Sequence, residues 1–311
     1  MKIFENFDTG KISWFRCGGK AKIFAIVGNQ NELLEVLDKY KNEYSQSQNN
    51  IICVGAGSNI LFQNDYNGLV LKLSGKFNNV NINSQQNNQI IAGCGCLAKT
   101  LSQFAIKNNL IGAEFLDTIP GSVGGLVKMN AGCFGKETKD IFKSADVLID
   151  GTLQKLSKQE MDFSYRHSIL TNSDIVLSAT FELIKATKEQ IEESKKTIQE
   201  MQEKRKQNQI LGATCGSTFA NVEITNDKLK DVAIKLGLPE DAKVINSWRL
   251  IDAVGLRGYK IGGAMLSDKH CNFLLNTGKA TANDIIALIE EAKKRVKEQL
   301  EIDLRVEVKI V

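Results

Sequence analysis

The chain has 311 residues, 42% hydrophobic and 24% charged, with a net charge of +4. That is enough for a core in two or three domains and too mildly basic to point to nucleic acid. No run approaches the ~18 apolar residues of a membrane span, and Met1-Lys2-Ile3-Phe4-Glu5-Asn6 has no apolar signal core, so a cytoplasmic protein is expected. Seven cysteines without a C-x-x-C spacing and two histidines, His167 and His270, argue against a metal site and for reduced, structural thiols. Asn31 to Tyr44 reads as a helix, with Leu33, Leu34, Leu37 and Tyr40 near helical spacing. A polar loop, Ser45 to Asn50, leads into a strand at Ile51 to Val54. That strand ends on the glycine-rich stretch Val54-Gly55-Ala56-Gly57-Ser58-Asn59. A second strand follows at Leu69 to Leu73, so the order is strand, loop, strand. A Rossmann fingerprint instead needs its glycines to open a helix.

Short strands are expected at Val80 to Asn83 and Gln89 to Ala92, then a helix from Leu97 to Asn108 with Leu101, Phe104 and Ala105 inward. The second glycine-rich stretch is Ile119-Pro120-Gly121-Ser122-Val123-Gly124-Gly125, leading to Asn130-Ala131-Gly132. Either stretch alone reads equally well as a tight turn. Together, with few side chains and small hydroxyls or amides, they suit backbone N–H groups crowding around a diphosphate, as in a dinucleotide cofactor. Strands follow near Ala145 to Ile149 and at Ile175 to Leu183, the latter alternating as a half-buried strand does. Lys188 to Gln207 reads as a connecting helix with a thin stripe of Ile191, Ile198 and Met201. Its i,i+4 pairs are Glu192–Lys196 and Glu200–Lys204, and it ends in Lys204-Arg205-Lys206. In the last third, strands are expected from Ser217 to Asn221 and from Cys271 to Asn276, and a helix from Ser247 to Val254 stopped by Gly255. Thr281 and Asp284 form a capping box for a long helix burying Ile285, Leu288, Ile289, Ala292 and Val296. Leu304, Val306, Val308 and Ile310 alternate as one closing strand. Taken singly, Ser217 is a possible proton donor or a turn hydroxyl, Arg166 an anion clamp or a surface residue, and Glu307 a solvated strand residue.

The combined motifs resemble the UDP-N-acetylenolpyruvoylglucosamine reductase family over essentially the whole chain. The carriers are Phe15-Arg16-Cys17-Gly18-Gly19-Lys20-Ala21, Gly55 to Leu61, and the block Gly112 to Leu116, Ile119 to Gly125 and Met129 to Gly132. Tyr165-Arg166 with Ser168, Gly216-Ser217-Thr218-Phe219, Gly262-Gly263-Ala264 and Leu304 to Val308 complete the set. The resemblance implies an α+β chain. A two-lobed FAD-binding domain of the vanillyl-alcohol-oxidase type would take residues 1–73 and 74–187, a connecting helix 188–207, and a C-terminal substrate-binding domain 208–311. It implies non-covalent FAD held by Val54, Gly55, Ala56, Gly57, Ser58, Asn59, Ile119, Pro120, Gly121, Ser122, Gly124, Gly125 and Ala131. It also implies reduction by NADPH, and hydride delivery from flavin N5 to the enolpyruvyl group of UDP-N-acetylglucosamine enolpyruvate in peptidoglycan precursor synthesis. By the same resemblance, Arg166 and Glu307 stabilise the enolate-like charge, Glu307 acting as a hydrogen-bond donor, and Ser217 gives the proton. Tyr165, Asn221, Lys204 and Arg205 are implied substrate contacts, and a monomer is expected. The chain departs from the family pattern at Ala220, Val222 and Asn208-Gln209, and it matches the shorter subtype without a tyrosine-bearing cover loop. An oxidase on the same flavin-binding fold is the alternative; it needs the glycine loops but not the serine, arginine and glutamate together.

Overall fold

Lys20–Val27 (β2) carries Ala21, Ile23, Ala25 and Val27 inward, and Phe24 is buried as well, so this strand is covered on both faces. That is the pattern of a strand in a parallel sheet. The computed structural model describes residues 1–44, 50–207, 210 and 212–311. The polar loop at 45–49 and the Asn208-Gln209 departure lie outside the described residues. The chain divides into two compact units, one of residues 1–7, 21–56 and 66–207, the other of residues 8–20, 57–65 and 208–311.

In the first unit, Lys2–Asp8 (β1), β2, Ile51–Cys53 (β3) and Tyr66–Leu73 (β5) form a four-stranded sheet in the order β1-β2-β5-β3. Ile60–Leu61 (β4) stands apart from it. Both β2 and β3 run parallel to β5. The helix Gln30–Tyr44 (α1) covers this sheet with Leu33, Val36 and Tyr40. A second, antiparallel sheet orders Thr152–Ser157, Phe142–Ile149, Ile175–Glu182, Gln86–Gly93 (β7) and Val80–Asn83 (β6). One apolar core runs through both, from Leu33 and Leu71 to Ile90, Leu101 and Phe181. The strand Ile175–Glu182 buries Ile175, Leu177, Ala179 and Phe181 as the alternation predicts, but Val176, which borders a cleft, is buried too. The helix Lys188–Gln207 buries Ile191 and Ser194 and also makes polar contacts. Ser194 Oγ donates to Glu114 Oε1 (2.7 Å) and Gln202 Nε2 to Asp117 Oδ1 (2.5 Å). On its exposed face Glu192 pairs with Lys195 (2.7 Å), not with Lys196.

The second unit gathers segments that are remote in sequence. Residues 8–20 and 57–65 contribute Phe15 and Leu61, both fully buried, to the core of the C-terminal region. Their placement differs from the expectation that residues 1–73 form one lobe. The reason is long-range pairing, which local pattern does not encode. Ser13 Oγ donates to Ile60 O (2.7 Å), Asn276 Nδ2 donates to Phe15 O (2.8 Å), and β4 pairs in parallel with Lys309–Ile310. The helix Ala282–Leu300 carries the predicted capping box of Thr281 and Asp284 and buries the five predicted residues. Ser247–Ala253 is a helix, and Gly255 after it has φ +71°.

Two expected strands are corrected. Leu304 to Ile310 is not one ladder, because the segment changes partner midway. Val306 bridges Phe219 antiparallel, and only Lys309–Ile310 forms a strand, on β4. Ser217 to Asn221 likewise makes isolated bridges, from Ser217 to Phe273 and from Phe219 to Val306, and the regular strand is Val222–Glu223.

Candidate active site

The start of the first glycine-rich stretch, Val54 to Ala56, meets the second in the first unit. A cleft open to solvent is lined by Val54 and Gly55 from one stretch and Ser122, Gly124 and Gly125 from the other. The stretches approach so closely that a Cβ on Gly55 would overlap Ser122 Oγ, and beside Gly125 there is open space. Ser122 Oγ is buried and has no hydrogen-bond partner among the described residues. A buried hydroxyl without a partner is costly unless a ligand satisfies it. A side-chain-free approach, open space and a waiting hydroxyl together fit a bound diphosphate.

The other predicted cofactor residues do different work. Gly121 O accepts from Ala98 N–H (3.0 Å), and Ala131 O accepts from Thr138 N–H (2.9 Å) and Oγ1 (2.8 Å). Ala56, Ile119 and Pro120 lie outside the cleft lining. Gly57, Ser58 and Asn59 belong to the second unit. There Gly57 has φ +74°, and a Cβ on it would overlap Ile12 O. Its own carbonyl accepts from Trp14 N–H (2.9 Å). Sequence reasoning missed Cys53, Cys94, Lys128 and Asp174 on the cleft wall. For Lys128 a signal existed, a lysine three residues past the Gly-Gly pair. Burial pushes the Cys53 thiol up to about 11 and raises Cys94 as well, so both are neutral wall atoms at pH 7.

Arg166 also lies in the first unit, in the left-handed region at φ +55°. Ser164 and His167 exchange backbone hydrogen bonds (3.2 and 3.1 Å), closing a tight turn around it. Its Nη2 donates to Gly132 O (2.8 Å), its Nη1 lies 3.8 Å from Glu137 Oε1, and its guanidinium sits 4.9 Å from the centre of the Tyr165 ring. Glu137 is itself held by Asn130 Nδ2 (3.1 Å) and Lys139 Nζ (2.7 Å). The guanidinium fork is thereby fixed in orientation before any ligand arrives. Lys204 and Arg205 occupy the exposed last turn of Lys188–Gln207.

Ser217 and Glu307 come together in the second unit. Glu307 N–H donates to Thr218 O (2.8 Å), and Glu307 O accepts from Asn59 Nδ2 (3.1 Å). Both residues are half-buried. Gly216, just before Ser217, has φ +81° and turns the chain into this pairing. Asn221 Oδ1 accepts from Ser247 N–H (3.2 Å), so it satisfies a donor at the start of the helix Ser247–Ala253.

Comparison with known proteins finds two family models that match the chain. Residues 21–157 match the FAD binding domain family, and residues 206–311 match the C-terminal domain of UDP-N-acetylenolpyruvoylglucosamine reductase. The reductase of Paramagnetospirillum magneticum is 38% identical over 96% of this chain and 88% of its own length. That of Rickettsia akari is 34% identical over 99% and 95%. The chain belongs to the UDP-N-acetylenolpyruvoylglucosamine reductase family. A solved reductase of this family, from Thermus caldophilus, has 28% identity and a TM-score of 0.75, covering 99% of this chain and 98% of its own. Within the reductase family fold, the cleft between the glycine stretches lies inside the region matching the FAD binding domain, apart from its Asp174 and Val176 wall. FAD is the cofactor, and the residues of the cleft fit it on the evidence of Gly55 and Ser122. Among the described residues no helix is long and apolar enough to cross a membrane.

Proposed function

We propose that this chain reduces the enolpyruvyl ether of UDP-N-acetylglucosamine enolpyruvate to UDP-N-acetylmuramate, with Arg166, Ser217 and Glu307 as its catalytic residues. Bound FAD supplies the hydride, drawn from NADPH. Hydride addition at the terminal vinyl carbon leaves negative charge on the carbon that bears the carboxylate. Arg166 stabilises that charge with a fork already fixed by Gly132 O and Glu137. Glu307 faces the same charge as a hydrogen-bond donor, and Ser217 Oγ gives its proton to the carbon, recovering one from solvent. The alkene thus gains one hydride and one proton.

The observation that carries this reading is the pairing of Glu307 N–H with Thr218 O, which holds Glu307 beside the Ser217 segment although 90 residues separate them in sequence. Val54, Gly55, Ser122, Gly124 and Gly125 hold FAD, and the other glycine-stretch residues shape the loops around it. In this reading Tyr165, Asn221, Lys204 and Arg205 contact the sugar nucleotide, the last two its diphosphate. Ser217→Ala tests the assignment. NADPH should still bleach the flavin at the wild-type rate in stopped flow, while turnover falls by about 10²–10⁴. A variant that fails to accept electrons from NADPH would remove Ser217 from the proton-donor role.

A further inference from the structure

Glycine stretches are expected to offer an anion their backbone N–H groups, but here two of those donors are already committed. Val123 N–H donates to Cys96 O and Gly124 N–H to Cys94 O, each at 2.8 Å. The diphosphate of FAD brings negative charge into a cleft walled by buried Leu73, Cys94 and Val176. In such surroundings an anion needs a cation as well as dipoles. Among the described residues lining the cleft, Lys128 is the one cation. It ends the short helix Val123–Lys128 (which follows Ser122), and its Nζ donates to Asn172 O (3.2 Å) and lies 3.5 Å from Asp174 O. These carbonyls hold the ammonium at the wall. Its field reaches the cleft, where it opposes the upward push of burial on the Cys53 thiol. The carboxylate of Asp174, the other charged residue of the lining, is engaged elsewhere: Oδ2 accepts from Thr171 N–H (2.6 Å) and Oγ1 (2.9 Å).

We propose that Lys128 is a cofactor-binding residue whose ammonium supplies the counter-charge for the diphosphate of FAD. The proposal rests on FAD occupying this cleft. The test is equilibrium binding of FAD, and of ADP as its diphosphate-bearing fragment, to flavin-stripped full-length protein at ionic strengths from about 0.05 to 0.5 M. Lys128→Met should bind both at least about tenfold more weakly at low salt, and the salt dependence seen in the wild type should flatten. Lys128→Arg, which keeps the charge, should stay within about threefold. Affinity within twofold of wild type in Lys128→Met, or a weaker affinity with the salt dependence intact, overturns the proposal; the second outcome makes Lys128 a packing residue of the 172–174 turn. If Lys128→Met does not fold, the wild-type series decides: ADP binding that ignores salt overturns the proposal. A wild-type protein that binds no FAD at all refutes the cofactor assignment itself, a different failure from either.

Discussion

Gly55→Ala separates space from conformation in the first glycine stretch. Gly55 is not among the residues at positive φ, so alanine meets no backbone strain there. Its Cβ would overlap one atom, Ser122 Oγ, while Ser122 Cβ would lie at 3.4 Å, an ordinary contact. The hydroxyl must therefore leave its rotamer or the two stretches must part, at a cost of about 1–3 kcal/mol. In a unit of this size each kcal/mol lowers Tm by about 2–4 °C. The flavin-stripped protein should melt lower by that amount, and FAD should bind more weakly. Ser122→Ala alone removes a buried hydroxyl that has no partner among the described residues, so the stripped protein should be unharmed or more stable. The same change should weaken FAD binding by about 0.5–1.5 kcal/mol, the worth of one hydrogen bond. In the Ser122→Ala background Gly55→Ala should be nearly silent, giving a coupling of about 1–3 kcal/mol in Tm-derived stability. Additive losses in the double variant would refute the claim that these two atoms define the approach of the stretches.

Thr218 is fully buried and its Oγ1 has no partner among the described residues, so Thr218→Val should raise stability by about 1 kcal/mol in a urea melt. Thr281→Ala removes the cap from the helix that buries Ile285, Leu288 and Ile289 and should cost about 1 kcal/mol by the same assay. Thr281 and Gly263 N–H groups hold the Asp284 carboxyl below its ordinary value. A lowered folded-state pKa stabilises above the unfolded pKa, and the gain is lost as pH falls through the folded one. Asp284→Asn should therefore be less stable than wild type at neutral pH, with the gap in Tm closing on acidification. Burial pushes the Cys215 thiol up to about 12 and Cys271 to about 11, so both should resist iodoacetamide at pH 8 until the protein is unfolded.

Much of this architecture was legible because it is local. The capping box, the buried face of Ala282–Leu300 and the strand Ile175–Glu182 follow from spacing within one segment. What escaped depends on partners far along the chain. Nothing near Phe15 or Leu61 says that they pack with residues 208–311, since that follows from the ladder between β4 and Lys309–Ile310. The closing segment looked like one strand because its side chains alternate, yet alternation reports burial, not which neighbour accepts the hydrogen bonds. At the site, small residues marked the cleft at Gly55 and Ser122. The chain's main charge there, Lys128, is anchored by carbonyls more than 40 residues away.

The same distance argument explains why a glycine motif overstates a phosphate cradle. In Val54 to Asn59 the two glycines solve unrelated problems. Gly55 lacks a side chain so that Ser122 can approach. Gly57 needs φ +74° and a missing Cβ so that the backbone can pass Ile12 O. In the second stretch Val123 and Gly124 spend their N–H groups on Cys96 and Cys94, joining the stretch to the end of β7. Backbone donors used to build a cleft are not available to a ligand in it. The denser the hydrogen bonding that fixes two loops together, the more the binding of an anion between them must come from side-chain charge. In this cleft that requirement falls on the wall that carries Lys128.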